Sequence, residues 1–169
     1  MIIIVMGVSG SGKTSIASGL AERLGCGFSD ADAFHSAANK AKMAAGTPLN
    51  DDDRWPWLDA MRAAMAANIA AGETHVYACS ALRRIYRDRL RDGDSAQMQF
   101  VYLSGSFDLL EERLSRRANH FFDPALLKSQ VDTLEVPSAD EAVTVDIAPP
   151  VGEIIDRVVE AVEQRRRVG

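Results

Sequence analysis

Met1 to Thr14 reads MIIIVMGVSGSGKT, and the order of residue types in this stretch decides the fold. Ile2 to Met6 is a continuous apolar run rich in β-branched side chains, the pattern of a strand buried on both faces, and Gly7 stops it. Gly7 to Thr14 then matches GxxxxGK(S/T). Beyond Thr14, Ile16, Ala17, Leu20, Ala21 and Leu24 recur at helical spacing, and Gly25 stands where a helix ends on a left-handed residue. Strand, glycine-rich loop and helix in this order make an anion cradle. Glycines let the chain turn sharply and aim successive N–H groups inward, and the helix N-terminus adds its dipole. Lys13 is placed to reach β- and γ-phosphates, and the Thr14 hydroxyl suits Mg²⁺. A nucleoside triphosphate is therefore expected on Gly7, Ser9, Gly10, Ser11, Gly12, Lys13, Thr14 and Ser15.

Working outward, four more short apolar runs read as strands: Gly27 to Ser29, His75 to Cys79, Gln99 to Leu103 and Ala142 to Ile147, with helical periodicity between them. Alternation of this kind implies an α/β fold with a parallel sheet and helices on both faces, a three-layer sandwich of five strands. The last helix carries Val151, Ile154, Ile155, Val158, Val159 and Val162 on one face, after the Pro149 and Pro150 turn. Two segments exceed a simple crossover. Residues 33–72 hold about two helices, the second with Trp57, Leu58, Met61, Met65 and Ile69 as an apolar stripe ended by Gly72. Residues 104–141 hold a helix and a polar region. The expectation is a single domain spanning 1–169, with a helical substrate-holding insertion at 33–72 and a lid at about 113–135.

Composition narrows the classes. The chain has 169 residues, 47% of them apolar, and a net charge of −5, enough for one self-sufficient core and too acidic for a dedicated nucleic-acid binder. No stretch approaches the ~20 apolar residues of a membrane span, and no basic segment precedes the first apolar run. The expectation is a cytoplasmic protein with neither membrane nor nucleic acid as partner. Cys26 and Cys79 match no metal or redox spacing and read as small core residues, and His35, His75 and His120 lack metal-ligand spacing.

A phosphate loop alone fixes no reaction. A GTPase should carry DxxG and NKxD segments; the former is absent, and Asn39 to Lys42 has lysine where the base-reading aspartate belongs. A small-molecule kinase survives. Asp30 and Asp32, in DADAFH after the second strand, point to one side if the extended backbone persists, at the carboxyl edge where ligands bind in open α/β sheets. One carboxylate could orient Mg²⁺ and the other accept the proton of an attacking hydroxyl; helix capping is the competing reading. Asp51 and Asp52 read as ordinary first-turn acids, whereas Arg54 offers a planar donor fork for a substrate carboxylate. Ser80 and Arg83 follow the third strand, while Arg84, Arg87, Arg89 and Arg91 read as a solvated helix face beside Asp88 and Asp92. Arg113, Arg116, Arg117 and His120 stand where a lid would close over triphosphate oxygens.

Several segments together resemble the bacterial-type gluconokinases, P-loop kinases that phosphorylate D-gluconate to 6-phosphogluconate: MGVSGSGKT, DADAFH, NKAKMAAGTPLNDDDRWPWL, CSALRRIYRDRLR, FVYLSG, and RANHFF with LLKSQVDTLEVP. The resemblance spans most of the chain and implies a nucleotide-kinase-like sheet, ATP as co-substrate and Mg²⁺. It implies Asp32 as the hydroxyl-facing carboxylate and Asp30, with Thr14, on the metal side. It implies Arg113 and Arg117 as ATP-facing lid residues, with Lys13, Asp32 and Arg117 carrying catalysis. For D-gluconate it implies a site of Asp32, His35, Lys42, Arg54, Ser80, Arg83 and His120, the carboxylate partner being Arg54, Arg83 or Lys42. Arg83 stands where some relatives carry lysine, a change of donor geometry. A homodimer is compatible with the same resemblance. The alternatives are a kinase for shikimate or a nucleotide, and a nucleotide-binding regulator that transfers nothing.

Overall fold

The computed structural model describes residues 1–93, 95–117 and 123–168. Strand β1 (Ile2–Met6) lies at the centre of a five-stranded sheet with β2 (Gly27–Asp30), β3 (His75–Ala78), β4 (Met98–Ser104) and β5 (Ala142–Asp146), in the order β2-β3-β1-β4-β5, every neighbouring pair parallel. All five residues of β1 are fully buried, which is why the run shows no polar alternation. Successive side chains leave opposite faces of the strand. Ile3 and Val5 pack with helices α1 (Lys13–Leu24) and α7 (Val151–Val168). Ile2, Ile4 and Met6 pack on the other face with Trp57, Leu58, Met61 and Met65 of α3 (Asp51–Ala70) and with Tyr86 and Leu90 of α4 (Arg84–Arg91). Burying each of these isoleucines contributes about 1.5–3 kcal/mol, so β1 is the strand the two layers share.

The strands fall where the apolar runs place them, with ends moved by their partners. β4 runs one residue further at each end than Gln99 to Leu103, because Ser104 pairs with Asp146 and Met98 with Ile2. β2 extends to Asp30, opposite Ala78. The Cys79 amide still donates to Val5 O at 3.1 Å, one residue past the end of β3. Helix α1 ends on Gly25 at φ 62°, the left-handed stop read from the sequence. Residues 33–72 do hold two helices, α2 (Ala37–Ala44) and α3, and a reciprocal Asn50–Asp53 capping box starts the latter. Between β4 and β5 lie α5 (Phe107–Arg117) and α6 (Pro124–Thr133). Among the described residues, no helix is long and apolar enough to cross a membrane.

One expectation about α4 is overturned. Arg84 and Arg89 are exposed, but Arg87 is only 1% exposed and ion-paired to Glu141 at 2.6 Å. Arg91 is half-buried, with its guanidinium 4.7 Å from the centre of the Phe100 ring. Helical neighbours alone suggested a solvated face; the partner that takes Arg87 inside lies 54 residues away on another segment.

Candidate functional site

The phosphate loop occupies the carboxyl end of β1. Gly10 has φ 82°, and a Cβ there would stand 2.8 Å from Leu114 Cγ and 3.1 Å from Leu110 O, so α5 packs against the bare backbone of the loop. Gly12, at φ 86°, is the N-cap of α1 and supplies no side-chain cap, so the first-turn amides keep their donors directed at the loop. The Ser11 hydroxyl is buried and has no hydrogen-bond partner among the described residues, an orphaned polar atom on the floor of this cradle. Amide donors, a lysine and an unspent hydroxyl are the donor set that phosphate oxygens require.

Lys13 Nζ curls over the loop and donates to Val8 O at 3.1 Å. Burial pushes its pKa below the usual lysine value, Cys79, Asp30 and Asp32 oppose that shift, and Arg117 adds to it. Arg117 therefore lies within electrostatic reach of Lys13, at the exposed end of α5. The Cys79 thiol, pushed up to about 12 by burial, stays protonated.

Asp30 joins two tasks. One carboxylate oxygen accepts from Thr14 Oγ1 at 2.9 Å, and the other accepts from the Asp32 amide at 3.0 Å, capping a 3-10 turn over Ala31–Phe34. The extended backbone that would align Asp30 and Asp32 thus ends at Asp30, because that cap coils the chain. Both carboxylates nevertheless act on Lys13. A threonine hydroxyl and a carboxylate in contact form a hard oxygen pair of the kind that holds Mg²⁺ together with substrate phosphates. Among the described residues no group of three or more His, Cys, Asp or Glu gathers as a metal cage.

Arg113 Nη2 donates to Ile147 O at 2.6 Å, tying α5 to the segment after β5. Ser9 is held from the other side: its amide donates to Gln130 Oε1 at 2.7 Å, and Gln130 Nε2 donates to Ser9 Oγ at 2.8 Å. Gln130, on α6, was not singled out from the sequence. Its partner is 121 residues away, and a lone glutamine in a helix carries no signal of its own.

A second cluster gathers on Asp51. Its Oδ1 accepts from the Tyr86 hydroxyl at 2.5 Å and from Arg54 Nη1 at 3.1 Å, while Oδ2 accepts from Arg83 Nη1 at 3.2 Å. Both guanidinium groups also lie over the Tyr86 ring, at 5.7 and 5.6 Å. The Tyr86 hydrogen bond, with Arg54 and Arg83 behind it, holds the Asp51 carboxyl below its usual range. The structure thus brings Arg54 and Arg83 together, joined by α3 and the loop before α4. Lys42 stands apart, bidentate on Asp53 at 2.9 Å to each oxygen. His35 stacks on Trp57 with ring centres 4.4 Å apart, and its Nδ1 is 3.4 Å from Asn39 Nδ2. Burial lowers its pKa, with Asp32 opposing, so the ring is neutral at pH 7. Ser80 is half-buried just beyond β3. His120, and with it part of the segment expected to form a lid, lies outside the described residues. Asp51 and Tyr86 escaped the sequence reading because a first-turn aspartate and an apolar-face tyrosine each have an ordinary structural explanation.

A parallel sheet in this order, with a GxxxxGK(S/T) loop between β1 and α1 and an acidic pair at the end of β2, defines a P-loop kinase. A family model described as an AAA domain matches residues 2–137. The chain is 47% identical to a probable gluconokinase of Dictyostelium discoideum, over 94% of this chain and 84% of that protein, and 43% identical to the thermoresistant gluconokinase of Escherichia coli, over 96% and 94%. The crystal structure of a gluconokinase from Sinorhizobium meliloti superposes with a TM-score of 0.80 at 43% identity, covering 96% of this chain and 95% of that one. The chain belongs to the gluconokinase family.

Proposed function

We propose that this protein transfers the γ-phosphoryl group of ATP to the terminal hydroxyl of D-gluconate, giving 6-phospho-D-gluconate and ADP in the cytoplasm, with Thr14 and Asp30 as the residues that would hold Mg²⁺. The observation that carries the reading is that a chain so similar to gluconokinases holds, beside one sheet edge, both a triphosphate cradle and two arginines gathered on a single carboxylate. Bound Mg²⁺ neutralises charge on the β- and γ-phosphates.

The amides of Gly10 to Thr14 and the Lys13 ammonium take phosphate oxygens, with Ser9, Ser11 and Ser15 completing the loop. Bound phosphate favours the charged form of Lys13, against the burial that weakens it. Arg113 and Arg117 face ATP, and Arg117, within electrostatic reach of Lys13, flanks the transferring group, where positive charge stabilises the transition state. Asp32 accepts the proton of the gluconate hydroxyl as its oxygen bonds to the γ-phosphorus and the bond to ADP breaks. Arg54 and Arg83 bind the sugar acid's carboxylate at the far end, the fork geometry that suits such an ion. His35, Lys42, Ser80 and His120 line the polyol between. A substrate held at both ends keeps its hydroxyl in line with the phosphorus, and such positioning supplies much of the rate.

The test is ADP release coupled to an optical readout, with gluconate, shikimate and nucleoside monophosphates offered in parallel. Release that depends on gluconate alone is expected. Release with shikimate or a nucleotide would reassign the acceptor, and ATP binding without acceptor-dependent release would leave a regulator.

A further inference from the structure

We propose that Arg87 is a positioning residue for the acid-binding arginine: its buried guanidinium locks the turn Ser80–Arg83 in the conformation that delivers Arg83 to Asp51. This rests on the reading of Arg83 as a carboxylate partner. An arginine has five N–H donors in a fixed planar fork, and every one is spent here. Nε donates to Glu141 Oε1 at 2.6 Å; Nη1 donates to Ala81 O at 2.9 Å and Leu82 O at 3.1 Å; Nη2 donates to Glu135 O at 2.9 Å and Glu141 Oε2 at 3.3 Å. Two of the five acceptors are consecutive carbonyls of the turn itself. A buried charge so fully satisfied is costly to disturb from any side, since removing one partner strands the others.

What it holds would not hold itself. Ala81 has φ 44°, the sole left-handed residue other than glycine among the described residues, and is only 2% exposed. A residue with a Cβ stays in that region only when its surroundings over-determine it, and such positions cluster at functional sites. Three ties besides Arg87 meet the same turn: the Glu135 amide donates to Leu82 O at 2.8 Å, Glu135 Oε2 accepts from the Arg84 amide at 2.7 Å, and Glu135 Oε1 lies 3.9 Å from Arg83 Nε. Arg91 Nη2 donates to Glu141 Oε1 at 2.7 Å and fixes the far end of the pair. Burial works against the Glu141 charge, yet Arg87 and Arg91 hold its carboxyl below the usual range. The turn is thereby anchored on the segments that carry Glu135 and Glu141, and Arg83 leaves it aimed at Asp51.

Arg87→Lys keeps the charge and loses the fork. In this variant the KM for gluconate should rise about tenfold, as charge-assisted hydrogen bonds to the turn are lost, while the KM for ATP and kcat stay within about twofold. In an Arg83→Ala background the same change should add less than about twofold, because the residue through which Arg87 acts is gone. Amide hydrogen exchange gives an independent readout: Arg84 and Glu135 should lose protection while the amides of α1 and α7 keep theirs. Equal changes in both KM values, a full penalty in the Arg83→Ala background, or exchange raised uniformly or nowhere would overturn the proposal. Were the wild-type protein to show no gluconate-dependent turnover, the functional reading would fall, and exchange at Arg84 and Glu135 would still decide the lock.

Discussion

Eight consecutive residues, Gly7 to Thr14, wrap the phosphate cradle, and the acid that accepts from the Thr14 hydroxyl comes from the next strand in sequence. The arginine cluster is assembled differently: Asp51 and Arg54 start one helix, Arg83 precedes another, Tyr86 and Arg87 lie on it, and Glu135 and Glu141 arrive from beyond α6. The cradle works through backbone amides, which any sequence offers once glycines permit the bend. The cluster works through side-chain charges that must be brought in, paired and held. Damage should therefore differ in kind: changes in the cradle strike turnover, and changes in the cluster strike recognition of the acceptor.

Lys13→Ala should sharpen that contrast most. A cation aimed at developing charge is worth about 10²–10³ in rate, so turnover should fall by at least that much with the thermal midpoint nearly kept. Turnover within a few-fold of wild type would remove Lys13 from the chemistry. Asp32→Asn tests the neighbouring acid, with kcat expected to fall about 10²-fold or more and ATP affinity little changed. An unaltered kcat would mean that Asp32 neither takes the proton nor orients the hydroxyl. In the cluster, Arg54→Ala should raise the KM for gluconate about 10-fold or more while sparing the KM for ATP, as loss of a charged hydrogen bond would; equal effects on both would break the division between the two regions.

The cluster also carries an acid signature. Hydrogen bonds and ion pairs lower the carboxyl pKa of Asp51 from the usual 3.8 and that of Glu141 from 4.5. The unfolded chain then binds more protons than the folded one between the lowered and the usual values. Their stabilisation is fully present above the usual values and is lost as pH falls through the lowered ones. Glu141→Gln should flatten the decline in thermal midpoint as pH falls below the usual 4.5, and an unchanged acid limb would show that the pair does not contribute. The smallest effect is expected at the joint between α6 and the loop: Gln130→Ala should raise the KM for ATP only about three- to tenfold, since it removes two hydrogen bonds to Ser9.

The same difference explains what could be read without coordinates. β1, the loop and α1 are contiguous, and each choice of residue there agrees with its neighbours, so strand, glycines and helix stop were all legible, as were the other four strands and the helical segments at 33–72. Strand ends moved by one residue because register is set by the partner strand, which a single segment does not reveal. Asp51 was legible only as a first-turn acid; that role is compatible with its second one, so nothing in the local pattern betrayed the arginines it gathers. Arg87 looked exposed beside Asp88 and Asp92, and its burial depends on Glu141, which the topology alone brings near. Arg54 and Arg83 were legible by chemistry, but their meeting was not.

The account stands or falls on which oxygen receives the phosphoryl group. Protein, ATP, Mg²⁺ and D-gluconate should yield a monoester whose phosphorus couples, in a proton–phosphorus NMR spectrum, to the two protons of the terminal methylene of gluconate. A phosphate carried on another carbon, or ADP formed with no sugar-acid ester at all, would contradict it.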